Sequence, residues 1–263
     1  SRARAWAEAP KQRAPLLRTI ATAAGCPAGP GARFRYHGRH FPCPEPCVDA
    51  YNITVVGGAG IVGREFLKIL DQREIPVERL RLLATARSAG KTVDFRGKAV
   101  TIEETSDASF TADDHIVFLS ASGSASKRYA PMAAANGSFV IDDSSAFRQD
   151  PAVPLVIPEI NPEDLEWHKG IVSQPNCTTT PMVLALHPIH RVNPLKRIIV
   201  STYQAVAGAG GAAVDGLAAE SRAALEGRHE PSGTQKREIA FNAVPQIDLF
   251  DADGYTKEEI KMA

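Results

Sequence analysis

Two stretches of the chain hold residues whose type and spacing could do chemistry. The first is Gly57, Gly58, Ala59, Gly60, Ile61, Val62, Gly63, which reads as GxGxxG from Gly58 and as GxxGxxG from Gly57. It follows a short apolar run and opens a helical period. Its backbone N–H groups and the positive end of the following helix dipole are therefore placed to hold a pyrophosphate. A glycine-rich tight turn without a ligand is the alternative. The second stretch is Gln174, Pro175, Asn176, Cys177, Thr178, Thr179, Thr180, with Cys177 just ahead of an apolar helical run. A helix N-terminus stabilises a thiolate and lowers the thiol pKa from its free value of about 8.5, which makes Cys177 a candidate nucleophile. The commoner fate of a cysteine is that of a small buried hydrophobe. Here the neighbouring proline, asparagine and threonines favour a polar turn.

Dinucleotide sites that take NAD usually place an Asp or Glu at the end of the second strand, to accept the ribose 2′-OH. This chain instead has Leu83, Ala84, Thr85, Ala86, Arg87, Ser88, with Lys91 close behind. Cations without an acid suit a 2′-phosphate, so NADP is the expected cofactor. Solvated surface charge is the alternative reading of Arg87 and Lys91.

The elements that must position these residues follow from apolar periodicity. Residues 53–56 read as a buried strand and 62–70 as a helix, so the glycine run is a strand-to-helix turn. Strands follow at 80–84, 115–120 and 139–141, with extended structure over 93–102 and a helix over 129–136. Beyond these lie a short extended piece at 170–172, a helix at 180–190, a strong strand at 197–203, a helix at 212–225 and a polar loop at 227–239. Strands alternating with helices predict an α/β fold, a Rossmann-like doubly wound parallel sheet. The expected domains are an NADP-binding domain at 51–178 and an incomplete α+β substrate and dimerisation domain at 179–263.

Composition narrows the function classes. Lys+Arg and Asp+Glu balance at 30 each, so the chain has no net pull toward nucleic acid or an anionic membrane. No run of 18 or more apolar residues occurs, so no transmembrane helix is expected. Residues 1–50 are rich in arginine, poor in acids and punctuated by proline, and are expected to be disordered. Such a head resembles an organelle transit peptide, apart from its scarcity of serine. It implies the plastid stroma if it is one and the cytoplasm otherwise. An unprocessed or vector-derived extension is the alternative. Cys43 and Cys47, with His37 and His40 nearby, lack a second ligand pair at zinc spacing, and no metal is expected. Cys177 is the only cysteine outside the head, so no disulfide framework spans the fold. The chain opens on Ser1 and closes on Lys261, Met262, Ala263, and it reads as a fragment at both ends.

Seven segments in order and spacing resemble the aspartate-semialdehyde dehydrogenase family across residues 51–263. They are 55–65, 86–91, 120–131, 142–148 with 156–159, 174–179, 201–210 and 241–248. The resemblance implies that Cys177 attacks an aldehyde and that hydride passes to NADP. Phosphate then splits the acyl thioester to give aspartyl phosphate, a step in lysine, threonine and methionine biosynthesis. It further implies that Gln204 orients substrate, that Arg148 and Lys261 hold phosphate, that Asn176 belongs with them to the substrate- and phosphate-binding residues, and that Gly57, Ala59, Gly60, Ile61, Val62, Gly63, Arg87, Ser88, Ala207 and Gly208 contact the cofactor. Ala207 stands where the family often has serine, which removes a hydroxyl and keeps the amide. A homodimer or homotetramer is expected, with small-molecule substrates and neither nucleic acid nor membrane as partner.

The family also continues beyond the equivalent of Ala263, where it supplies a substrate-binding arginine and a general-base histidine. His187 does not replace that base, because ten helical residues from Cys177 span about 15 Å. Two readings compete with the first. One is N-acetyl-γ-glutamyl-phosphate reductase, which shares the glycine run and the cysteine. The other is a catalytically silent NADP-binding protein.

Overall fold

The structure, a computed structural model, describes residues 33–36 and 39–42 by backbone alone, and residues 50–229 and 237–263 in full. The chain divides into two compact units, Ser1–Gln174 and Pro175–Ala263. Within the Arg-rich head, β1 (Arg33–Tyr36) and β2 (Arg39–Pro42) pair antiparallel. The rest of that head, with its expected disorder and its cysteines, lies outside the described residues.

The first unit is built on β3 (Tyr51–Val56), α1 (Ile61–Gln72), β4 (Val77–Ala84), β5 (Thr92–Phe95), β6 (Lys98–Glu104), β7 (Ile116–Leu119), α2 (Gly123–Ala135), β8 (Phe139–Asp142) and β9 (Ile171–Ser173). The sheet order is β5-β6-β4-β3-β7-β8-β9. All pairings are parallel except that of β5 with β6. Leaving out β5, the order reads 3-2-1-4-5-6, that of a Rossmann sheet, whose switch point lies between the first and fourth strands, here β3 and β7. The expected doubly wound parallel sheet is therefore present.

Period-2 patterning places the core on both faces. Ile53, Val55, Leu82, Ala84, Ile116 and Phe118 pack with Leu67 and Leu70 of α1. Val56, Leu83, Val117, Leu119 and Val140 pack instead with Ala130 and Ala133 of α2. A strand buried on both faces reads as a continuous apolar run, which is why these segments were legible. Phe66 of α1 stacks on Phe118 with ring centroids 4.1 Å apart. The extended segment over 93–102 resolves into a hairpin, with Arg96 and Gly97 both at positive φ in the turn, as a two-residue primed turn requires. Arg96 also reaches back to the C-terminal end of α1, donating to the Leu70 and Ile75 carbonyls.

One strand expectation fails. Residues 197–203 form no strand, and Ile199 and Tyr203 are 78% and 93% exposed. β-branched residues favour a pleated, half-buried surface rather than an extended backbone as such, and no strand among the described residues pairs with this run. The helices expected around it are found as α3 (Thr179–Val192) and α4 (Gly211–Leu225), followed by α5 (Lys257–Met262). None of the described helices is long and apolar enough to cross a membrane.

A buried carboxylate ties the sheet together in the first unit. Asp114 is 1% exposed. It accepts from the Thr54 hydroxyl at 2.7 Å and the Thr111 N–H at 2.9 Å, and it lies 3.5 Å from both Arg79 and Arg81. Burial alone would raise its pKa, but the hydrogen bonds from Thr111 and Thr54 and the Arg81 charge together hold it below the ordinary value. Asp114→Asn is expected to cost about 3 kcal/mol at pH 7, measured by denaturant melts. Because the carboxyl pKa is depressed in the folded state, the stability it contributes is full above about pH 4, the unfolded value, and is lost as pH falls through the lower folded value. The gap between parent and variant should therefore narrow in acid; a constant gap from pH 7 to pH 3 would contradict this assignment.

Candidate functional site

In the first unit the sheet's carboxyl edge gathers the residues expected to meet a dinucleotide. β3 runs into Gly57, whose N–H bonds the Leu83 carbonyl of the neighbouring β4 at 2.8 Å. Gly57 sits at φ +86°, and a Cβ there would fall 2.0 Å from the backbone oxygen of Ser120, just past β7. The turn therefore passes close against the switch point, which only a glycine allows. Gly60 is the N-cap of α1 and gives it no side-chain cap, so backbone amides of the first turn, from Ile61, Val62 and Gly63, remain available to an anion. Ala59 lies on the same turn, and Gly63 is buried in the first turn of α1. Arg87, Ser88 and Lys91 follow β4, at the same edge one strand over. Arg87 and Lys91 are exposed and in no ion pair among the described residues. The residues present fit a dinucleotide phosphate, and the missing acid after β4 fits a 2′-phosphate.

Further along this edge β8 ends in two carboxylates. Asp142 is fully buried and accepts from the Ser144 hydroxyl at 2.9 Å. Asp143 accepts from the Ser120 hydroxyl at 3.3 Å. Burial raises the Asp143 pKa, against the opposing pull of Arg148 and Ser120. Arg148 donates through Nε to the Gln174 carbonyl at 2.8 Å and through a terminal nitrogen to the Asp143 carbonyl at 3.0 Å. It thereby fixes the strand end that leads toward the cysteine turn.

The second unit opens with that turn. Asn176 is buried, and its Oδ1 accepts the N–H groups of Thr178 and Thr179 at 2.8 and 3.2 Å. It takes the N–H groups at the start of α3, and Cys177, which immediately precedes them, is exposed. The sulfur has two polar neighbours. Gln204 Nε2 donates to it at 3.7 Å, and Thr178 Oγ1 lies 3.9 Å away. The Thr178 hydroxyl proton goes to Glu258, so toward Cys177 this oxygen acts as acceptor for the thiol. Gln204 Oε1 is buried without a partner among the described residues. A Cβ on Gly208 would lie 2.4 Å from Gln204 Nε2, so Gly208, beside Ala207, leaves the room that lets the amide reach sulfur.

Comparison with known proteins fits both halves. Residues 52–168 match the model of the semialdehyde dehydrogenase NAD-binding domain, and residues 186–263 match that of the semialdehyde dehydrogenase dimerisation domain. The aspartate-semialdehyde dehydrogenase of Aquifex aeolicus is 48% identical over 81% of this chain and 63% of its own length. That of Vibrio mimicus is 44% identical over 81% of this chain and 67% of its own. The chain belongs to the aspartate-semialdehyde dehydrogenase family. A crystal structure of aspartate-semialdehyde dehydrogenase II from Vibrio cholerae, complexed with ASA, superposes with a TM-score of 0.79. It is 43% identical, over 82% of this chain and 64% of that one. The chain thus spans a little under two thirds of the length of the first curated relatives it matches, 63% for those of Aquifex aeolicus and Bacillus subtilis.

Within the family frame, the second unit brings Asn176, Cys177, Gln204 and Gly208 together, and it holds Lys261 through Glu258 and Asp248. Lys261 donates to Glu258 at 3.0 Å and to Asp248 at 3.3 Å. Burial would lower its pKa, but the hydrogen bonds to Glu258 and Asp248 outweigh this and raise it. Glu258 is the site residue that sequence reasoning missed. It lies 82 residues from Asn176, and no local pattern marks it beyond the spacing Glu258-x-x-Lys261, which puts both on one face of α5.

Two glycine substitutions separate the units. Gly57→Ala must move backbone, and is expected to cost about 3 kcal/mol and to abolish dinucleotide binding, read by melts and NADPH titration. Gly208→Ala meets only the flexible end of Gln204. It should leave the melting temperature within about 2 °C while changing the alkylation rate of Cys177 severalfold; a rate equal to the parent's would count against the Gln204 contact.

Proposed function

We propose that this chain carries the cofactor-binding and nucleophile-bearing parts of an NADP-dependent phosphorylating dehydrogenase. The reaction interconverts L-aspartate 4-semialdehyde plus phosphate with L-4-aspartyl phosphate. The observation that carries the reading is the Gln204 amide donating to an exposed Cys177 sulfur, in a turn whose Thr178 and Thr179 amides Asn176 holds. Bound NADP would supply the hydride acceptor. Cys177, as thiolate, forms a C–S bond to the aldehyde carbon, and the carbonyl electrons move onto oxygen. The Gln204 N–H is placed to donate hydrogen bonds in this region, the kind of contact that stabilises developing negative charge. Loss of hydride from that carbon leaves an acyl thioester on Cys177. A phosphate oxygen then attacks the thioester carbon, the C–S bond breaks, and sulfur departs as thiolate. Arg148 and Lys261 are the cations suited to an anionic co-substrate. Arg87 and Ser88 favour NADP over NAD, and the second unit mediates self-association.

In the native protein, phosphate-dependent reduction of NADP by aspartate semialdehyde should exceed that by N-acetylglutamate semialdehyde by orders of magnitude. Cys177→Ser should lower the rate by about 10³-fold or more while NADPH binding stays within about twofold. Arg87→Ala should weaken NADPH about tenfold and leave NADH unchanged. Full turnover by the serine variant would sink the mechanism, and equal use of both aldehydes would sink the substrate.

A further inference from the structure

The residues on either side of Cys177 are gripped by one oxygen atom. Asn176 Nδ2 and Thr178 Oγ1 both donate to Glu258 Oε1, each at 3.1 Å. The other carboxylate oxygen, Oε2, accepts from Lys261 Nζ at 3.0 Å, and Lys261 donates again to Asp248 Oδ2 at 3.3 Å. Thr179 Oγ1 closes the ring by donating to the Lys261 carbonyl at 3.1 Å. Asp248 is held in the left-handed region at φ +68°, with its Oδ1 accepting the Leu249 N–H at 2.8 Å. Strain of this kind is retained where the surrounding contacts over-determine it.

We propose that Asp248, Lys261 and Glu258 form a brace that fixes the Cys177 turn, with Asp248 as the positioning residue at its far end; the inference rests on the reading of Cys177 as nucleophile. The Lys261–Asp248 pair is about a third exposed on both sides, and such pairs add little stability. Its effect is orientational. A lysine with three donors and one carboxylate partner can rotate away, whereas two partners define where its ammonium stands. With Lys261 fixed, Glu258 keeps its cation on Oε2 and presents Oε1 to Asn176 and Thr178. Asn176 in turn presents Oδ1 to the Thr178 and Thr179 amides. Two bonds of Lys261 belong to the brace and its third N–H is left for an incoming anion, so the same ammonium can register substrate and nucleophile together.

The brace is tested by amide hydrogen exchange at Thr178 and Thr179 in the full chain, with the Gly211–Leu225 helix as internal control and alkylation of Cys177 by iodoacetamide as second readout. In Asp248→Ala, both amides should exchange about tenfold faster and alkylation should change at least about threefold, with the control helix unmoved. Asp248→Asn keeps a carbonyl acceptor for Lys261 and should recover most of the protection, and Glu258→Ala should lose as much as Asp248→Ala. Exchange within twofold of the parent in folded Asp248→Ala would overturn the brace, as would acceleration spread equally over the control helix. Should Asp248→Ala fail to fold, Glu258→Ala decides by the same criteria. Exchange requires no turnover, so a protected turn around an unreactive Cys177 would refute the nucleophile while sparing the brace.

Discussion

The parallel register of β3 between β4 and β7 is the constraint on which the first unit depends. Val56 lies opposite Leu83 on one side and Leu119 on the other, so β3 and β7 end level, β4 runs one residue further to Ala84, and Gly57 and Ser120 emerge side by side. A one-residue slip would turn Ile53 and Val55 away from α1 and destroy both cores at once. The same slip would carry Gly57 away from the Ser120 carbonyl, and the close approach that demands glycine would vanish. Core and cofactor edge are therefore one specification. The apolar alternation that makes the sheet fold also sets which backbone groups line its carboxyl end. Asp114 secures that register from another direction by binding Thr54 of β3 while facing Arg81 of β4.

The second unit is organised differently. α3 has no buried residue, and the cysteine turn at its start is fixed by side-chain hydrogen bonds rather than by apolar packing. Each hydrogen bond is worth about 1 kcal/mol net, so a site built this way gains little stability. What it gains is direction, because hydrogen bonds constrain angles as hydrophobic contact does not. That suits a nucleophile. On the proposed function Cys177 has to stay exposed to meet a substrate, and the contacts that set its turn run through Asn176 and Thr178, its neighbours in sequence.

What could be read from the sequence follows the same division. The parallel strands were legible because burial on both faces leaves an uninterrupted apolar signature, and α1 because its apolar positions recur at helical spacing. The turns at Gly57 and Cys177 were legible because their signals are local, a glycine at a strand-to-helix turn and a cysteine in a polar turn ahead of a helix. Glu258 and Asp248 were not, since a carboxylate in a polar C-terminal segment looks like solvated surface until folding sets it against Asn176 or Lys261. The segment 197–203 was misread for the opposite reason. Its β-branched residues carry a strong local signal, but a strand exists only through a partner, and that information is not contained in the segment.

Arg148 and Lys261 were paired by resemblance as two cations for one anion, yet their surroundings differ in a way that assigns them unequal parts. Arg148 is held by two backbone carbonyls, which fix the guanidinium without cancelling its charge. Asp143, on which its charge acts, is pushed by burial toward protonation. Lys261 stands between two carboxylates, both with pKa values held below the ordinary range: Glu258, where hydrogen bonds from Lys261 and Asn176 override burial, and Asp248, by the Leu249 amide and Lys261. Within this group Lys261 faces both carboxylates, and the Lys257 charge also acts on Asp248. On the proposed function, Arg148 would meet an anion with a charge held by backbone carbonyls, and Lys261 with an ammonium already committed to two carboxylates.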